Sequence, residues 1–132
     1  MTWAAAFLRS SRMPISEAMS SVRVDNLFTN AVPPGEGERF DTILKHRHLQ
    51  IERIVSSSHT TPQPYVQAQD EWVLLVQGEA WMTVAGQAVS LKAGDHLFLP
   101  AGVPHTVERT SDGALWLAVH LHPTDDERQG HG

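Results

Sequence analysis

Glu71 and His105 are two residues of this 132-residue chain whose side chains can do acid–base or metal chemistry. Glu71 opens an apolar stretch, Trp72-Val73-Leu74-Leu75-Val76-Gln77, that ends at Gly78. His105 follows Pro100-Ala101-Gly102-Val103-Pro104, a turn in which proline pre-sets its φ and glycine supplies a positive one. A histidine held directly after so rigid a turn is placed to point into an interior. Tyr65, Gln67 and Glu71 share parity, so a regular strand over Tyr65 to Glu71 would project all three to one side. His120 shares a strand face with Trp116 and Ala118. Eight histidines in so short a chain invite a metal argument, although His46, His48, His122 and His131 read as loop, edge or tail residues. Other chemistries drop out. With no cysteine there is no disulfide, thiolate metal site or cysteine nucleophile. Ser56-Ser57-Ser58 lacks the Gly-x-Ser-x-Gly signature of a nucleophile elbow, and no glycine-rich phosphate loop is present.

Gly94, Pro100, Gly102 and His105 meet the spacing Gly-x5-Pro-x-Gly-x2-His, which resembles the second motif of the cupin superfamily. The asparagine that usually follows four residues after that histidine is replaced by Arg109. Glu71 and Gly78 match the second half of the first cupin motif, His-x-His-x3-4-Glu-x6-Gly, and Tyr65 and Gln67 stand in its two histidine slots. His59 occupies the family's glycine position and reads as a loop residue. The resemblance spans roughly residues 49 to 122. It implies an all-β fold, a single cupin (jelly-roll) barrel with the Tyr65, Gln67 and Glu71 side facing inward. It also implies a divalent metal ion (Mn, Fe, Zn or Ni) held by Gln67, Glu71 and His105, with Tyr65 or His120 as proton carrier. An amide and a phenol are poorer ligands than two imidazoles, so the ion would be weakly bound. The alternative is a metal-free barrel that binds or senses a small molecule through an apolar pocket. In that case Glu71 is held by Arg53 or Arg109, His105 hydrogen-bonds the interior, Tyr65 and Gln67 are ordinary strand residues, and His120 is structural. Substrate and reaction do not follow from the fold.

The elements that must position these residues read as strands. Arg39-Phe40-Asp41-Thr42-Ile43-Leu44-Lys45 is the first. Leu49 to Ser56 alternates apolar and polar with period two for most of its length. Glu71 to Gln77 is nearly continuous apolar and predicts a central strand buried on both faces. Ala80 to Val84 and Ala88 to Leu91 form a hairpin about Ala85-Gly86-Gln87. His96 to Leu99, the strand opened by His105, and Ala114 to Leu121 complete the set. Short strands at regular spacing with glycine turns, and no long amphipathic helix, predict a sandwich or barrel.

One domain is expected from the length: an N-terminal segment over 1–38, a barrel over 39–123 and a tail over 124–132. Residues Val24 to Phe28 are expected to dock on the barrel as a short helix or strand. The start of the chain carries Arg9 and Arg12 after its apolar run, the wrong order for a secretory signal. A net charge of −5 without a basic cluster argues against nucleic acid or an anionic membrane as partner, and no run reaches the length of a membrane span. A cytoplasmic protein is the simplest reading. The outward face of the Glu71 strand, Trp72, Leu74 and Val76, predicts a homodimer through sheet packing, and a small-molecule ligand or substrate is the other expected partner.

Overall fold

A computed structural model describes residues 22–125. The expectations for residues 1–21 and 126–132 lie outside them. Nine strands follow one another: β1 (Glu38–His46), β2 (Leu49–Ser56), β3 (Pro64–Tyr65), β4 (Asp70–Gln77), β5 (Glu79–Val84), β6 (Gln87–Lys92), β7 (His96–Leu99), β8 (His105–Thr110) and β9 (Ala114–Leu121). They form two antiparallel sheets, one of order β1-β2-β9-β4-β7 and one of order β3-β8-β5-β6. The sheets are not hydrogen-bonded into a closed barrel; they face each other as the two layers of a jelly-roll sandwich. Apart from the β1–β2 and β5–β6 hairpins, consecutive strands cross from one layer to the other.

Period-two alternation is what makes the sandwich. On β4, Glu71, Val73 and Leu75 are buried while Trp72, Leu74 and Val76 are half-buried on the outer face. The continuous apolar run thus has an inner and a partly open outer side, rather than two equally buried ones. On β9, Trp116, Ala118 and His120 point inward, as their shared parity requires. Leu75, Leu99, Ala80 and Met82 meet between the layers with almost no exposure. Removing such side chains from water is the main stabilising term, at roughly 25 cal/mol per Å² of apolar surface.

Turn chemistry fixes the register. Gly78 has φ 92°, and a Cβ there would lie 2.7 Å from Ser111 Oγ and 2.9 Å from the Ala114 backbone. Only glycine allows β4 to hand over to β5 so close to the β8–β9 loop. Gly102 has φ 83° and turns the chain between β7 and β8. The stretch around Val24 to Phe28 forms neither helix nor strand. Instead, Arg53 Nη1 donates to the carbonyls of Leu27 (2.9 Å) and Thr29 (2.6 Å), and Arg39 to those of Asn30 and Val32 (both 2.7 Å). Both guanidinium groups also reach Asp41 Oδ2, at 3.2 Å from Arg39 and 2.8 Å from Arg53. The Arg53 hydrogen bond, with Arg39 adding to it, holds the Asp41 carboxyl below its ordinary range.

Candidate functional site

The turn after β7 builds the site by gripping the segment that precedes β4. Gly102 N donates to Gln67 O at 2.8 Å, and Ala101 N to Asp70 Oδ1 at 2.8 Å. Residues 66–69 therefore break away from the strand direction. Tyr65 sits on β3 in the smaller sheet and Glu71 on β4 in the larger. A single regular strand from Tyr65 to Glu71, the basis of the parity argument, does not exist. The bend nevertheless delivers Tyr65, Gln67 and Glu71 to one place.

That place is a cavity of about 130 Å³ between the layers. Its walls are apolar, with Ile54, Val73, Met82 and Leu99 at the deeper end. Tyr65 and Phe40, both about half exposed (48% and 55%), stand at its edge. Glu38, Glu52, Glu71, Gln67, His105 and His120 supply its polar groups.

Each polar group has a defined partner. Gln67 Nε2 donates to Glu71 Oε1 at 2.9 Å. His120 Nε2 donates to Glu52 Oε1 at 2.9 Å and lies 3.9 Å from Glu71 Oε2. The Glu52 hydrogen bond raises His120 above its ordinary value; burial opposes this, and the charges of Glu71 and Glu52 reinforce it. In the neutral ring, Nδ1 accepts from Gln69 Nε2 at 3.3 Å. When the ring is protonated, that amide must turn its oxygen to the new N–H. Glu38 accepts from Ser56 Oγ at 2.6 Å, and Ser56 Oγ accepts from Trp116 Nε1 at 3.0 Å. Burial pushes the Glu38 carboxyl up, against the Ser56 hydrogen bond and with Glu71 and Glu52 adding repulsion.

His105 Nδ1 lies 3.2 Å from Val103 O. A carbonyl only accepts, so Nδ1 carries a proton, and in the neutral ring the Nε2 lone pair is left to the cavity. The Tyr65 ring stacks on the imidazole with centroids 6.1 Å apart.

The proposed partners of Glu71 are placed elsewhere. Arg53 is engaged by Asp41 on the outer face, and Arg109 lies 3.9 Å over the Trp81 ring. His59 is exposed in a loop, its carbonyl accepting from Gly37 N at 2.9 Å. Glu38 and Glu52 were not legible as site residues. Glu38 looks like loop, and Glu52 looks like the polar half of an alternating strand. Its parity with Ile54, which is buried, was the available signal.

Among the described residues, no group of three or more His, Cys, Asp or Glu side chains is arranged to hold a metal ion. Glu71 and His105 both reach the cavity, but Gln67 turns its NH2 rather than its oxygen toward Glu71, and His120 Nε2 is committed to Glu52. Two donors fall short of the three protein ligands of a typical catalytic zinc site.

A sandwich of this topology, with a polar cluster at one end of its interior and the two motif turns at its rim, is the cupin architecture. The cupin-domain family model matches residues 51–121, and the chain belongs to that family. A protein from Ralstonia eutropha JMP134, described as a candidate mannose-6-phosphate isomerase, is 34% identical, with 77% of this chain and 100% of that chain covered and a TM-score of 0.67. An RmlC-like cupin from Shewanella frigidimarina NCIMB 400 shares the fold at 20% identity, covering 72% of this chain and 85% of that one, with a TM-score of 0.62. An uncharacterised protein of Streptomyces coelicolor is 27% identical over 105 residues, which is 80% of this chain and 98% of that protein. Among the described residues no helix is long and apolar enough to cross a membrane.

Proposed function

We propose that this cupin binds a small organic molecule in the interior cavity and that the His120–Glu52 pair can exchange a proton with it. The observation that carries the reading is the polar set itself: three glutamates and two histidines on an otherwise apolar wall, in a space of about 130 Å³. That is close to the size of an engineered cavity, about 150 Å³, that accepts benzene. His120 is the proton carrier, held at Nε2 by Glu52 with Glu71 as the next carboxylate. Tyr65 guards the entrance and can hand its phenolic proton inward. The Ralstonia relative's description names a phosphorylated sugar. Among the described residues no lysine or arginine lines the cavity, so a phosphate would meet carboxylates there, and that activity is not carried over.

A titration of the full-length protein with small polar fragments, in the presence of a chelator, tests this. Saturable NMR shifts at the Trp116 indole and the His120 ring are expected, since both side chains line the cavity. A cavity that takes up none of the fragments overturns the reading.

A second reading has its own observation. The His105 proton on Nδ1 points its Nε2 lone pair inward, the arrangement in which a backbone carbonyl orients a metal-binding histidine. Under this reading Glu71 and His105 hold a divalent ion (Mn, Fe, Zn or Ni), with Gln67 joining only after its amide turns. Added Mn, Zn or Ni then raises the melting temperature by mass action, and His105→Ala abolishes the rise. Unchanged melting with and without metals removes this reading and leaves the first intact.

We further propose a homodimer through the outer face of the larger sheet. Half-buried Trp72, Leu74 and Val76 continue there into exposed Phe98 and Leu121. Light scattering that gives the monomer mass at micromolar concentration rules it out.

A further inference from the structure

We propose that the cavity selects a small organic cation, an ammonium-type head on a body of a few carbons, and rejects anions. This rests on the reading of the cavity as a small-molecule site and names its ligand class.

The first ground is the charge balance of the lining. Glu38, Glu52 and Glu71 all line the cavity from the inner face of the larger sheet, His120 beside them is paired to Glu52, and among the described residues no lysine or arginine joins the lining. Among the described residues every cation is placed elsewhere. Arg39 and Arg53 serve Asp41 and the N-terminal carbonyls. Arg109 lies on Trp81, Lys92 pairs with Asp95, and Arg23 with Asp25. Lys45 and Arg47 are exposed at the end of β1 and in the turn after it. Even with His120 charged, three carboxylates face a single positive group, and apolar walls screen them poorly. An anion pays for entering this field; a cation is drawn in.

The second ground is independent of charge counting. His105 is 7% exposed, its Nδ1 is bonded to Val103 O, and its Nε2 has no described protein partner. In the neutral ring, a nitrogen on the cavity wall can accept from a donor on the ligand, such as a hydroxyl or an N–H. The third is aromatic. Phe40, Tyr65 and Trp116 all line the space, and aromatic rings attract onium groups.

The probes are choline, its uncharged isostere 3,3-dimethylbutan-1-ol, and mannose 6-phosphate, titrated into the full-length protein with a chelator and followed at the Trp116 indole. Choline and the isostere have the same shape and the same hydroxyl, so their difference reads the positive charge alone. Choline is expected to bind about tenfold or more tighter than the isostere, and mannose 6-phosphate to give no saturable shift. Glu38→Gln, which keeps the shape and an acceptor for Ser56 Oγ and removes a carboxylate from the lining, is expected to weaken choline several-fold at pH 8.

Equal binding of choline and the isostere overturns cation selection and leaves the small-molecule reading standing. Saturable binding of mannose 6-phosphate overturns it as well. If no probe moves the indole, both readings fall. Tight Mn or Zn binding that excludes choline assigns the negative charge to a metal and also overturns the proposal. If Glu38→Gln does not fold, the wild-type choline-to-isostere ratio decides.

Discussion

The two ends of the interior are built from the same strands and differ in what those strands place inward. On β4 the inward positions run Glu71, Val73, Leu75; on β9 they run His120, Ala118, Trp116; on β2 they run Glu52, Ile54, Ser56. At the far end Leu75, Ala80 and Ala114 are fully enclosed. At the near end Glu71 stands opposite His120 in the β4–β9 register, and a cavity takes the place of side chains. The far end is stabilised by dense packing. The near end gives up packing and carries carboxylates whose burial costs stability unless hydrogen bonds compensate. Under the proposed function, stability and binding fall to opposite ends of the same few strands, one or two inward positions apart.

The largest test of that division is Leu75→Ala. It leaves a hole in the enclosed end and is expected to cost about 2–5 kcal/mol in urea unfolding, with fragment binding at the Trp116 indole unchanged where the protein remains folded. A comparable loss of binding would show that the two ends are not separable.

Glu52→Gln comes next. The His120 value is raised in the folded state, so the Glu52–His120 contact stabilises fully below the ordinary histidine value of 6.5 and is lost as pH rises through the folded value. The variant should lower the His120 titration midpoint, read from its ring resonances. It should also remove roughly 1–2 kcal/mol of stability at pH 6 but little at pH 9. A midpoint that does not move would show that Glu52 does not carry the shift.

The smallest effect is expected for Glu38→Gln. The folded Glu38 value is raised, so ionising it costs stability as pH climbs above the ordinary glutamate value of 4.5. Gln keeps an oxygen for Ser56 Oγ and cannot ionise. It should be neutral at pH 4 and more stable than wild type by about 0.5–1 kcal/mol at pH 8. Destabilisation at pH 8 would mean that the Glu38 charge itself is needed by its neighbours.

Parts of this division could be read from the sequence. Leu49–Ser56, His96–Leu99 and Ala114–Leu121 are the strands expected, residue for residue, because glycine, proline and polar turns bound them sharply. Glu71 and His105 were legible through their resemblance to the two cupin motifs, in the spacing of Glu71 to Gly78 and of His105 to Gly94, Pro100 and Gly102. The inward position of His120 followed from parity with Trp116. Glu52 was not legible, because β2 carries apolar residues on both faces and alternation there does not say which side is inside. Ile51 is half-buried on the outer side while Ile54 is buried on the inner one. Nor could the break between Tyr65 and Glu71 be read. It is imposed by hydrogen bonds from a turn about thirty-five residues further along the chain, and no local pattern announces a partner at that distance.

That same turn gives the protein a built-in reporter. The Gly102 amide has its partner, Gln67 O, only while the two motif segments lie together. Its proton is shielded from solvent exchange for as long as the pair holds and is released when the pair opens. Deuterium uptake at this single amide therefore clocks how often the entrance side of the molecule comes apart, while the amides of β4 and β9 clock the whole. A ligand that settles between Gln67, Glu71 and His105 should slow the first clock before it touches the second.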